Sequence, residues 1–211
     1  MVAIAEKLAE VRRILDRYVV EVVERYDLCP WAKSARLGGE VAVEVLWGEP
    51  SVEAWVEAGR AALARPNARV AMVVAPESAV TVAELRAIRD HVTSAIPQTG
   101  VAHFHPDSPL DLASPARLVP FLRRSPDPLL QLVPLELLES VRGVGVQVDI
   151  AEQLRILGGV STVPRGDIAD RIAETNHARI RAEQVAVSET LAAIAQDRRA
   201  SYTRAEIRSS R

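Results

Sequence analysis

Residues 69–106 read RVAMVVAPESAVTVAELRAIRDHVTSAIPQTGVAHFHP. Arg69 to Ala75 (RVAMVVA) is a short continuous apolar run, the mark of a strand covered on both faces. Thr81 with Glu84 three residues later makes a capping box, which predicts a helix to about Ile96. Gly100 to His105 (GVAHFH) then predicts a second strand, ended by Pro106. A strand, a helix and a strand in succession place helices on a sheet.

The pattern extends both ways. Towards the N-terminus, Leu8, Val11, Leu15, Val19, Val22 and Val23 recur at three- and four-residue steps, so Ala3 to about Tyr26 is expected as a helix. It should stop near Asp27-Leu28-Cys29-Pro30, because a residue before proline is pushed out of the helical region. Val41 to Trp47 has strand composition, and Ser51 to Ala64 is helical up to Pro66. Towards the C-terminus, Pro106 to Pro115 is a loop. Ser114, with Pro115 in the first turn, caps a short helix carrying Arg117 to Leu122. Leu129 to Val133 is a further strand, and Leu135 to Val141 returns to helix.

After Gly143 and Gly145 the chain turns helical and polar. Asp167 to about Arg199 is expected as one long helix with Ile168, Ile172, Ile180, Val185, Val187, Leu191 and Ile194 on its apolar face. Arg198 to Arg211 is polar and expected to fray. The expectation is an α/β fold: a two-layer or three-layer sandwich with a small mixed sheet of about four strands and a long C-terminal helix. Residues 1–163 form the α/β domain, and 164–211 a helical extension packing on that domain or on a partner.

Composition narrows the function classes. The 211 residues are 48% hydrophobic and 26% charged, which suits a folded globular chain. The net charge of −2 and the lack of a dense basic block argue against nucleic acid, whose phosphates need clustered cations. No apolar run approaches a membrane span, and Met1 to Tyr26 lacks the uninterrupted apolar core of a signal peptide. A cytoplasmic chain is expected. One cysteine, Cys29, leaves no internal disulfide and no multi-cysteine metal centre. All basic residues except Lys7 and Lys33 are arginine, so planar forks for carboxylate, sulfate or phosphate are plentiful.

Three segments differ from scaffolding. In Leu28-Cys29-Pro30-Trp31-Ala32, a proline and an aromatic fix the backbone beside the cysteine, which reads as a nucleophile, a metal ligand or a buried small hydrophobe. In His103-Phe104-His105-Pro106, two histidines at i and i+2 suit a metal pair or an acid/base pair. The alternative there is one histidine held by backbone and one in solvent. In Arg123-Arg124-Ser125-Pro126-Asp127-Pro128, two arginines and a hydroxyl on a proline-fixed turn make an anion clamp or a solvated turn. His91 and His177 read as surface positions.

LCPWA, FHPD and RRSPDPLLQL, in this order, resemble the motifs of the DUF1415 family of bacterial proteins of unknown function. The resemblance covers most of Asp27 to Leu138, with a weak echo at Ile172 to Asn176. It implies that Cys29, Pro30, His105, Pro106, Arg124, Ser125 and Pro126 belong to one site. The departures are instructive. The family's asparagine is Arg123 here, its tyrosine is Asp127, a histidine is Gln131, and an arginine and a glutamate fall on Pro134 and Leu135. If the family uses a Cys/His/His metal site, this chain has lost one ligand, since glutamine replaces imidazole poorly on a transition metal.

The expected function is therefore a metal-independent small-molecule enzyme of a specialised biosynthetic pathway, without a cofactor. Arg123, Arg124 and Ser125 would bind an anionic substrate group, with Trp31 and Gln131 beside it. His105 or His103 would move a proton, with Cys29 and Asp127 assisting, in an elimination or intramolecular displacement of lyase or cyclase type. Two rivals stand beside it. One is a metal- or thiol-dependent enzyme using Cys29 and His105. The other is a non-catalytic subunit completing another chain's active site, or a homo- or hetero-oligomer, through the C-terminal helix. Neither nucleic acid nor membrane is an expected partner.

Overall fold

The computed structural model describes residues 2–137 and 167–208, with backbone alone for 167–171. The protein has an α/β fold. Helix α1 (Ile4–Tyr18) runs into a π-helical segment (Val19–Glu24) and is followed by α2 (Ala32–Leu37), β1 (Val41–Val45), α3 (Val52–Leu63) and β2 (Val70–Val74). Then come α4 (Val82–Ala95), β3 (Thr99–Phe104), α5 (Pro115–Leu122), β4 (Leu129–Pro134) and the long α6 (Asp167–Arg204). The expected helix at Leu135 to Val141 is seen only at its start. Gly143, Gly145 and the 163/164 boundary lie outside the described residues.

The strands form one mixed sheet in the order β1-β2-β4-β3. β1 and β2 are parallel, and β4 runs against both β2 and β3, which it separates. The apolar run at 69–75 is covered on both sides as its composition demands. Ala71, Val73 and Ala75 join Trp55, Val56, Leu85 and Val92 under α3 and α4, while Val74 faces the core of α1, α5 and α6. This makes three layers. Gly59 lets α3 settle onto the sheet, because a Cβ there would lie 2.9 Å from the Leu132 side chain.

The local signals formed as their chemistry requires. Thr81 Oγ1 accepts the Glu84 N–H at 3.3 Å, and the Glu84 carboxylate accepts the Thr81 N–H at 2.8 Å. Ser51 and Ser114 cap α3 and α5 in the same way. The first helix departs from expectation in its last turns. From Val19 the hydrogen bonds widen to the π pattern, and the chain leaves the helix at Asp27, whose φ of 46° is left-handed, before Pro30 is reached. Helix α2 was not anticipated, since its six residues bury no side chain fully and leave no periodic apolar signal.

The C-terminal region corrects two expectations. Arg198 to Arg211 was expected to fray. Instead Arg198, Ser201, Tyr202, Ala205 and Ile207 are buried. The apolar face of α6 was extended to Val185, which is 70% exposed, because the helix bends at Glu183 and turns that position outward. Ile180, Val187 and Ile194 are spent on this chain's own core with α1 and α5.

What anchors the end of α6 is polar. The Asp127 carboxylate accepts from Arg198 Nε at 2.7 Å and Nη2 at 2.6 Å, and from the Tyr202 hydroxyl at 2.7 Å. Arg198 also donates to the Pro76 carbonyl at 2.9 Å and stacks over the Tyr202 ring at 4.6 Å. Removing one partner of such a buried pair strands the other charge, at a cost of about 3–5 kcal/mol. Asp127→Asn is therefore expected to lower the thermal midpoint by roughly 10 °C for a chain of this size. Calorimetric unfolding of the variant checks this, and a shift under about 2 °C would deny Asp127 that role.

Candidate functional site

The Arg123-to-Pro128 turn divides its labour. Arg124 donates to the Ser108 carbonyl through Nε at 2.7 Å and through Nη2, and stacks over Phe121 at 4.9 Å. Ser125 Oγ donates to the Asp127 carbonyl at 2.5 Å. With Asp127 bound to Arg198 and Tyr202, these three residues hold the turn and are not poised to bind substrate. Arg124, Ser125 and Asp127, expected in the clamp or beside it, each have a protein partner here.

Arg123 is the exception. Its backbone carbonyl accepts the His105 N–H at 3.0 Å, which staples it beside the end of β3. Its guanidinium has no carbonyl or carboxylate partner among the described residues, and burial together with the charge of Arg89 pushes it below its ordinary pKa.

The two histidines also part ways. His105 is fully buried. Its Nδ1 accepts the Asp107 N–H at 3.1 Å, and its Nε2 lies 2.8 Å from the Val80 carbonyl, which can only accept. The ring is thus the neutral Nε2–H tautomer, bonded to the loops at Val80 and Asp107. His103 is the reverse case: its Nδ1 is buried with no hydrogen-bond partner. Burial, followed by the charges of Arg123, Arg89 and Arg86, pushes its pKa down to about 4.

Strand register decides which residues can join His103. It pairs across to Leu130, whose side chain lies in the α3/α4 layer, so His103 faces α4. Arg86 and Arg89 stand one turn apart on that helix. Arg89 Nε is a second buried atom without a partner. Arg86, Arg89, Arg123 and His103 thus form a cluster at the β3 edge that excludes most of the expected site. Gln131 pairs with Ala102 and Met72 and belongs to the opposite face, one residue out of phase with Leu130. Arg86 and Arg89 were missed because they sit in an ordinary amphipathic helix, and only its packing on β3 brings them to His103.

Cys29 also lies across the sheet, beside Tyr18 in the α1 layer. Burial raises its thiol above the ordinary value, against the N–H groups of Trp31 and Ala32, so it is held as thiol rather than thiolate. Trp31 sits at the N-terminus of α2, 36% exposed. The loop around Cys29 is strapped by α6: Asn176 donates to the Leu28 carbonyl at 3.2 Å, and Arg179 to the Tyr26 carbonyl at 2.8 Å. His177, expected at the surface, is half-buried with Nε2 2.9 Å from the Leu112 carbonyl. His91 is exposed as expected. The Cys29 loop thus lies in the α1 layer and His103 faces α4, while the His105 and Arg123 segments meet through the backbone. Among the described residues, no three His, Cys, Asp or Glu side chains converge as a metal-binding group. Among them too, no helix is long and apolar enough to cross a membrane.

Comparison with models of known protein families, with curated proteins and with solved structures finds no match to this chain.

The depressed His103 gives a signed pH dependence. The unfolded chain takes up a proton on this imidazole near its ordinary pKa of about 6.5. The folded chain does so only at about 4. Stability should therefore fall as pH drops through that window and level off below it. Urea unfolding across the range, repeated on His103→Gln, checks it: the variant should lose this part of the acid sensitivity.

Proposed function

We propose that the chain is a metal-independent small-molecule enzyme that binds an anionic substrate group between Arg123, Arg89 and Arg86 and uses His103 to move a proton. The observation that carries this reading is the Arg123 guanidinium, half-buried without an anionic partner, beside two further arginines and an imidazole with an orphaned nitrogen. Like charges gathered in this way oppose folding, so such clusters concentrate at functional sites. A carboxylate, sulfate or phosphate would supply the missing acceptors.

The chemistry that suits this cluster is elimination or intramolecular displacement of an anion. His103 donates a proton to the leaving anion as it departs, and the reacting carbon or nucleophile gives up its own proton to water. The bond to the leaving anion breaks as its charge develops against the arginines, which stabilise it. Fixed placement of the acid and the leaving group supplies much of the rate. The similarity of LCPWA, FHPD and RRSPDPLLQL to the DUF1415 family adds no reaction to this reading, and a specialised biosynthetic role follows only from the divergence of those motifs. The docking role for the C-terminal helix loses its motive, since its inner apolar residues pack on α1 and α5.

Thermal unfolding with a panel of phosphorylated, sulfated and carboxylated amines tests the site. A ligand at one hundred times its dissociation constant stabilises by about 2.7 kcal/mol, which raises the midpoint by several degrees. Arg123→Gln should keep the ligand-free midpoint and lose this rise. Arg124→Gln should do the opposite, lowering the midpoint by loss of its Ser108 contact while still responding to ligand. Equal responses in the two variants would place the anion elsewhere.

A further inference from the structure

Charge balance at the cluster narrows the ligand. Arg86 and Arg89 from α4 and Arg123 from the turn after α5 act on His103, and Asp90 opposes them. Asp90 pairs with Arg89 at 2.9 Å. From the sheet, β4 offers Leu130 opposite the imidazole. With Arg89 paired, Arg86 and Arg123 have no ion-pair partner among the described residues, which leaves two positive charges without compensation.

We infer that the cluster binds a tetrahedral dianion of the phosphate class, and that His103 takes up one proton as it binds. This rests on the anion-binding reading and names its ligand class and its coupling. A carboxylate would cancel one of the two charges and reach fewer donors. A tetrahedral dianion cancels both and presents oxygens in several directions to the guanidinium forks. Two buried nitrogens, Arg89 Nε and His103 Nδ1, lack partners. Each is a donor that an anion can satisfy, His103 Nδ1 once it carries hydrogen.

Protonation follows from the same charges. Burial and three guanidiniums oppose a cationic imidazole here. A dianion cancels their field, so the imidazolium becomes the favoured state and donates to the anion. By linkage, affinity rises as pH falls, by about tenfold per pH unit wherever one proton is taken up. The device also serves catalysis. The substrate's own anionic group loads the imidazole with the proton that the leaving anion takes.

Titration calorimetry of the full chain tests this with three probes: inorganic sulfate, inorganic phosphate and acetate. Sulfate carries no titrating proton near neutrality, so any uptake belongs to the protein. At about pH 6, in two buffers of different ionisation enthalpy, sulfate binding should take up close to one proton. Acetate should bind at least roughly tenfold more weakly than either dianion. His103→Gln should bind sulfate without proton uptake. In the unsubstituted chain, the His103 ring resonances should move to their protonated positions when sulfate is added, a readout independent of the variant's folding. Sulfate binding without proton uptake, or with uptake unchanged in His103→Gln, overturns the coupling while the anion-binding reading stands. Acetate binding as tightly as sulfate overturns the dianion assignment. Absence of saturable binding by all three overturns both readings.

Discussion

The buried carboxylate of Asp127 holds the two halves of this chain together. It sits between β4 and the preceding turn, and it receives two guanidinium hydrogen bonds and a phenol from residues more than seventy positions away. Burying these charges is costly in itself, and the hydrogen bonds repay it only when all are made. The arrangement therefore has little tolerance: α6 must arrive with Arg198 and Tyr202 on the side facing the turn. Arg198 also satisfies the Pro76 carbonyl, and the backbone of Arg208 donates to Glu77 at 3.0 Å. In open α/β sheets ligands collect beyond the carboxyl ends of the strands. Here, after β2, that place is taken by the chain's own C-terminal segment.

The same turn sets the geometry of the arginine cluster. Asp127, Ser125 and Arg124 each fix one point of it, through α6, through the turn itself and through the Ser108 carbonyl. His105 adds another point by tying the turn's first residue to the end of β3 and bonding across to Val80. Arg123 is thus delivered to the β3 edge by a frame whose other polar groups are all occupied. A rigid frame matters because gathering guanidiniums is unfavourable until an anion arrives, and a loose turn would let them drift apart.

The π-helical segment and the loop that follows are a separate construction on the other side of the sheet. The widened turn at Val19–Glu24 and the left-handed Asp27 redirect the chain, and Asn176 and Arg179 catch its exposed carbonyls. Tyr18, whose buried hydroxyl has no hydrogen-bond partner, lies beside Cys29 in this layer. Burial raises the thiol, and the bonds from Asn176 and Arg179 make the loop a joint between α1 and α6.

Much of the fold was legible in the residues themselves. The capping box at Thr81, the caps at Ser51 and Ser114 and the apolar run at 69–75 each act locally, through one or two hydrogen bonds or a continuous patch of apolar surface, and all formed where expected. Arg123 and His103 were recognisable as chemistry by residue type. Their company was not. Which face His103 points to depends on strand register, and a shift of one residue separates it from Gln131 and joins it to Arg86 and Arg89. The role of Asp127 depends on a helix that begins forty residues later at Asp167. The sequence alone determined the four strands, the longer helices and the supply of ionisable groups, because those follow from neighbours along the chain. Only the tertiary structure decided which of those groups bind each other and which are left open to a ligand, because desolvation and charge pairing act through space.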